Sequence, residues 1–138
     1  MSYPLKGKCQ CGYIQYEVKK PFILQVACHC SECQKFSATA FGISAVVERK
    51  NFELLSGELK IFVRTAASGN KNEAYFCPHC GNRIYHVNRN SPDRIRLKPG
   101  TLEDTSMINP TAHYWVKSKQ DWVVIPDGVD VYETQPKM

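Results

Sequence analysis

The sequence predicts one small, mainly antiparallel β domain with little helix and two zinc sites. Three observations lead there. Apolar residues fall in short, often alternating runs separated by turn formers, as half-buried strands require. Helical periodicity is weak throughout. All seven cysteines lie in three tight clusters. At 138 residues and 43% hydrophobic composition, the chain can build one packed core, and no linker divides residues 1–138.

The elements follow in order. Residues 13–18 alternate and close at Lys19-Lys20-Pro21, and residues 22–27 run into the central cysteine cluster. The best helical candidate is a turn or two over residues 31–37, with Ser31 placed to cap it and amides facing the cysteines. Residues 41–47 end in β-branched side chains. Residues 59–64 form the next strand, before a turn over 66–72 centred on Ser68-Gly69-Asn70. Strands at 73–76, 83–87 and 94–97 come next, and 113–116 and 122–125 are the last two. Trp115 and Trp122 read as core residues.

No stretch approaches 18 consecutive apolar residues, which argues against a membrane helix. The start, Met1-Ser2-Tyr3-Pro4-Leu5-Lys6, lacks the apolar core of a secretory signal, so a cytoplasmic location is expected. Reducing conditions disfavour structural disulfides, and clustered cysteines then read as metal ligands.

Cys77-Pro78-His79-Cys80-Gly81 has the spacing of a zinc knuckle, with Gly81 able to take the left-handed conformation such a turn needs. Cys9-Gln10-Cys11-Gly12 is a weaker signal. On a regular strand these two cysteines would sit about 6.7 Å apart. Thiolates on one tetrahedral ion approach to about 3.8 Å. The chain must therefore bend at Gln10. Joined across 66 residues, the two pairs make a closed four-thiolate site, Cys9, Cys11, Cys77 and Cys80, of structural character.

Cys28-His29-Cys30-Ser31-Glu32-Cys33 offers three thiolates, and no eighth cysteine remains. Three protein ligands and an exchangeable fourth position describe catalytic zinc. The alternatives are a Cys₃His structural site using His29, His79, His86 or His113, or a single zinc with the other thiols free. His29, between two ligands, is expected to point away. Zinc with three thiolates carries net charge of about −1, so its bound water is less acidic than at three imidazoles. Such a site suits a substrate sulfur better than hydrolysis.

Formal charge is +5, but seven thiolates remove seven charges and two zinc ions restore four, leaving +2. Bulk charge therefore says little about nucleic acid. Residues 83–98 hold Arg83, Arg89, Arg94, Arg96 and Lys98 against Asp93, whereas residues 101–138 carry six acids and three bases. The basic strip reads first as a solvated face and second as a receptor for an anionic small molecule. Lys35 reads as an exposed lysine and His113 as a packed or surface residue, ahead of substrate-contacting or acid–base roles.

Three motifs together resemble the glutathione-dependent formaldehyde-activating enzyme family, which also contains centromere protein V relatives. They are Gly7-Lys8-Cys9-Gln10-Cys11-Gly12, Cys28-His29-Cys30-Ser31-Glu32-Cys33-Gln34-Lys35-Phe36-Ser37, and Phe76-Cys77-Pro78-His79-Cys80-Gly81-Asn82. Gly57-Glu58-Leu59, Gly100-Thr101-Leu102-Glu103-Asp104, Pro110, His113-Tyr114-Trp115 and Trp122 agree, and the resemblance spans about residues 5–133. Asn82 departs from the Ser or Thr of many relatives.

The resemblance implies a β-tent-like fold and two zinc ions. In it, Cys9, Cys11, Cys77 and Cys80 match the structural zinc ligands, and Cys28, Cys30 and Cys33 the catalytic ones. It implies a carbon–sulfur lyase joining glutathione, or a similar thiol, reversibly to an aldehyde such as formaldehyde, giving S-hydroxymethylglutathione. The competing expectation is a zinc-stabilised binding module for nucleic acid or protein, resting on the basic strip. No aromatic-interleaved patch of the single-strand-binding kind accompanies it.

Overall fold

The computed structural model describes residues 3–136. Met1, Ser2, Lys137 and Met138, which belong to the sequence reading of the start and the tail, lie outside the described residues. The fold is mainly β with one short helix. In chain order the strands are β1 (Leu5–Lys8), β2 (Gln15–Val18), β3 (Leu24–Cys28), β4 (Gly42–Glu48), β5 (Phe52–Ser56) and β6 (Lys60–Thr65). They continue as β7 (Lys71–Phe76), β8 (Arg83–Asn88), β9 (Arg94–Leu97), β10 (Ala112–Tyr114) and β11 (Asp130–Val131), with helix α1 (Ser31–Ser37) after β3.

Two sheets form, one in the order β1-β2-β5 and the other β11-β10-β3-β4-β9-β8-β7-β6. Pairing is antiparallel except where β10 lies parallel to β3 and to β11. The main core lies where the small sheet meets one face of the large one. Ile14, Tyr16 and Val18 come from the β2 side, and Ala45, Val47, Ile84, Tyr85, Val87, Ile95 and Leu97 from β4, β8 and β9. Alternation explains the selection. In β4, residues 45 and 47 face this core, while Gly42, Ser44 and Val46 face the opposite side. That opposite side is where α1 and all three cysteines of the central cluster gather.

One irregularity re-aims a side chain toward that face. Tyr75 pairs with Tyr85 but Phe76 pairs with Arg83, so Ile84 is an extra residue on β8. The bulge lets two successive residues, Ile84 and Tyr85, both enter the core. It also turns Arg83 onto the face carrying His86.

The nine predicted strands fare unevenly. Eight are present within a few residues, and 94–97 matches β9 in full. Residues 122–125 are not a strand. The carbonyl of Gln120 accepts from Val123 N (3.1 Å), and Lys119 Nζ bonds Val123 O at 2.9 Å, so local contacts take the groups a ladder would need. Trp122 is 70% exposed, not core, while Trp115 is partly buried beside Val26 and Tyr114. The helix matches residues 31–37, but its cap is Cys30, whose Sγ accepts from Cys33 N at 3.3 Å, rather than Ser31. Ser31 is already the first helical residue, which moves the capping position back by one.

Three strands, β1, β5 and β11, were not anticipated. In β1, Leu5 and Gly7 point inward and Lys6 and Lys8 outward. Gly7 fits because the Tyr16 ring fills the space a side chain would occupy, with a built Cβ falling 2.2 Å from Tyr16 Cζ. The ring cannot easily yield, since Tyr16 is fully buried and its hydroxyl shares a 2.6 Å hydrogen bond with Thr101 Oγ1. Gly7→Ala is expected to destabilise the protein by about 1–3 kcal/mol through overpacking, read as a lower denaturant midpoint at unchanged m-value.

Candidate metal centres

The first centre begins where β1 ends. Cys9 N donates to Ile14 O (3.1 Å) and Gly12 N to Cys9 O (3.1 Å), folding residues 9–14 into a tight loop with Gly12 at φ 82°. That loop supplies the expected bend at Gln10. Cys9 and Cys11 Sγ are 3.6 Å apart, far closer than on a straight strand. After β7, Gly81 N returns to Cys77 O at 2.9 Å with Gly81 at φ 77°, which closes the knuckle. Cys11 Sγ lies 3.7 Å from Cys77 Sγ, and the four sulfur atoms of Cys9, Cys11, Cys77 and Cys80 lie within 4.8 Å of one another.

Backbone amides support these sulfurs. Ile14 N donates to Cys9 Sγ at 3.3 Å and His79 N to Cys77 Sγ at 3.4 Å. Cys80 is drawn down to about 6: burial works against its thiolate, but amide hydrogen bonds from Asn82 and Cys11 and the neighbouring thiols outweigh it. Asn82 has a part that the sequence reading missed. Its Oδ1 accepts from Gln10 N at 3.1 Å and stitches one cysteine loop to the other. The signal available in the sequence was a hydrogen-bonding side chain directly after Cys80-Gly81.

The second centre is local. Cys28 ends β3, Cys30 caps α1, and Cys33 sits in its first turn. Their sulfur atoms also lie within 4.8 Å of one another, and among the described residues no imidazole or carboxylate joins either group. The histidines of the Cys₃His alternative are placed elsewhere. His29 is fully buried and turned away, its Nε2 sharing a 2.8 Å hydrogen bond with His113 Nδ1. His79 meets the Tyr13 ring edge-on at 4.2 Å, and His86 meets Phe36 at 5.3 Å. His113 is a packed residue, as expected.

Crowding three thiols has an electrostatic consequence. Cys30 is held down to about 2 by hydrogen bonds from Cys28 and Cys33, against burial and aided by the amides of Cys33 and Glu32. Cys28 is pushed far up by its hydrogen bonds with Cys30 and Cys33 and by burial. Cys33 is pushed up to about 11, its hydrogen bond with Cys28 being outweighed by Cys30 and burial. One negative charge is readily accommodated and more are not, so a divalent cation is what allows all three to ionise. The sulfur separations and the all-thiol donor sets fit zinc in both groups.

The basic strip divides. Arg94 is exposed and Arg89 pairs with Glu73 at 3.2 Å, as a solvated face would have it. Arg83, Arg96 and Lys98 instead lie on the α1 face of the large sheet. Arg83 Cζ is 4.4 Å and Lys98 Nζ 4.5 Å from the Phe36 ring centroid. Burial pushes Lys98 down to about 8, against the pull of Cys33 and Cys28. His86 is kept neutral by burial first and then by Lys98, Arg96, Arg64 and Arg83 around it. Lys35 is exposed, in a cleft of about 550 Å³ with Gln34 and Trp122 that no cysteine lines.

The sequence profile of the glutathione-dependent formaldehyde-activating enzyme family matches residues 4–118, and the chain belongs to that family. No curated relative matches at a significant level. Among solved structures, the chain is similar to a crystal structure of a Rhodobacter sphaeroides protein. That likeness has 24% identity and a TM-score of 0.59, covering 77% of this chain and 92% of the other. It supports the fold. The chain thus carries two cysteine groups able to hold metal ions, on a scaffold shared with this family.

Protein refolded with zinc is expected to hold two ions per chain by metal analysis, one at each group. Cys28→Ser should reduce this to one with a nearly unchanged thermal midpoint. Cys77→Ser should lose an ion and also destabilise the fold by several kcal/mol, since its group ties together distant segments.

Proposed function

We propose that the protein is a zinc-dependent carbon–sulfur lyase acting on thiol adducts of small aldehydes, with S-hydroxymethylglutathione as the representative substrate. The observation that carries this reading is the three-cysteine group, to which no fourth protein ligand is added among the described residues. Cys28, Cys30 and Cys33 act as ligands of the catalytic zinc, and Cys9, Cys11, Cys77 and Cys80 hold the structural one. When bound by three thiolates, zinc supplies a soft Lewis-acid position open to a substrate sulfur or carbonyl oxygen.

The chain's own residues prepare that position. Cys30 Sγ is fixed by the Cys33 amide, and the peptide of His29 is held by Tyr114 O (2.9 Å) and by Gln34 Nε2 (2.9 Å). These bonds leave the three sulfurs little freedom, so the ion's free corner keeps one direction. Three thiolates weaken the acidity of bound water and so disfavour hydrolysis. Membership of the family supports carbon–sulfur chemistry with a glutathione-like thiol. Seven free cysteines suit a reducing cytoplasm, and no helix among the described residues is long and apolar enough to cross a membrane. The binding-module alternative draws less support, because Arg83, Arg96 and Lys98 gather around Phe36 and His86 rather than along an outer surface.

Adding glutathione to cobalt-substituted protein is expected to change the metal's visible spectrum, and Cys30→Ser to abolish both that change and catalysis of glutathione–formaldehyde adduct formation. A spectrum indifferent to every thiol tried would overturn the lyase reading.

A further inference from the structure

Three cations near the three-cysteine group have no acid to neutralise them. The ion pairs found among the described residues engage Lys19, Lys50, Arg64 and Arg89, not Arg83, Arg96 or Lys98. Arg96 Nη1 is buried without a hydrogen-bond partner, and Lys98 Nζ has long contacts at 3.4 Å to Ile43 O and 3.5 Å to Ser44 Oγ. The Phe36 ring face compensates Arg83 and Lys98 in part. Desolvated charge left unpaired is costly, and a zinc ion with three thiolates offers about one negative charge against three positive ones. A surplus of positive charge therefore remains around Phe36 and His86.

One of these cations stands beside the cysteine group. Gly42 lies on this face, next to Cys28 in the β3–β4 ladder. A Cβ built there would stand 3.5 Å from Cys33 Cβ and 3.7 Å from Lys98 Nζ. Both are ordinary van der Waals distances, so the bare backbone at Gly42 holds the Lys98 ammonium about a methyl group's width from the cysteine group. The β8 bulge is what brings Arg83 to this face at all.

We propose that Arg83 and Lys98, with Arg96 behind them, anchor a carboxylate of the thiol substrate beside the three-cysteine group. This rests on the lyase reading above and narrows it: the preferred thiols carry a carboxylate a few bonds from sulfur. Charge-assisted hydrogen bonds to such a group supply the counter-charge that the fold withholds.

The test titrates cobalt-loaded protein with two thiols of equal length, 3-mercaptopropionate and 3-mercapto-1-propanol, reading the thiolate-to-cobalt absorption. Wild type is expected to bind the carboxylate-bearing thiol about tenfold more tightly. In the double variant Arg83→Gln, Lys98→Met that ratio should fall close to one. Equal affinities in wild type, or a ratio unaltered in the double variant, overturn the anchor. If neither thiol changes the spectrum, the lyase reading is what fails, and succinate added to zinc-loaded protein then decides the anchor. A saturable shift of the His86 ring resonances in wild type that the double variant loses upholds it, and no shift overturns it.

Discussion

The fold depends on one crossing. Four sulfur atoms meet where the end of β1, in the small sheet, comes against the end of β7, in the large one. Strand pairing cannot make that junction, because the two sheets share no ladder. What holds it besides the core is the pair of cysteine loops, with Gln10 N bonded to Asn82 Oδ1 at 3.1 Å. Tyr16, Ile84 and Leu97 pack within the cluster of which Cys9 and Cys77 are themselves members. The cysteine group is therefore continuous with the apolar core.

The far face of the large sheet follows from this arrangement. With one side committed to the core, β3, β4, β8 and β9 turn their alternate residues outward, and α1 covers part of that surface. Seven residues are too few to be stable as an isolated helix. Its ends are fixed instead by the Cys30 sulfur at one end and by Ser37 Oγ at the other, bonded to Cys33 O and Phe41 O. The elements that hold the helix in place thus also position the thiols. Ligand geometry and local folding are the same problem here.

Much of this was legible in the residues. The cysteine clusters carried both metal groups, since tight spacing and an odd count left few other arrangements. Strands such as β8 and β9 were visible because their apolar residues alternate or cluster between turns. The unread elements failed for physical reasons. β1 has two lysines and a glycine, and its inward side is a place for Tyr16 rather than a hydrophobic signal of its own. β5 is an exposed edge, and β11 is only two residues long. Residues 122–125 have strand-like composition, but the Val123 backbone groups are taken by Gln120 O and Lys119 Nζ. The bulge at Ile84 and the pairing of His29 with His113 depend on partners far along the chain. No local pattern announces them.

The two cysteine groups differ in how far apart their members stand along the chain. Cys28, Cys30 and Cys33 span six residues, so an unfolded chain can already wrap them around an ion at small entropic cost. Any binding to the unfolded chain offsets part of the stabilisation an ion gives the native state, so an ion at this group shifts that equilibrium less. Cys9 and Cys11 meet Cys77 and Cys80 only once a loop of 66 residues has closed, and an ion there selects the native state. The same element can therefore act as a cargo at one group and as a rivet at the other, the difference written in sequence separation alone.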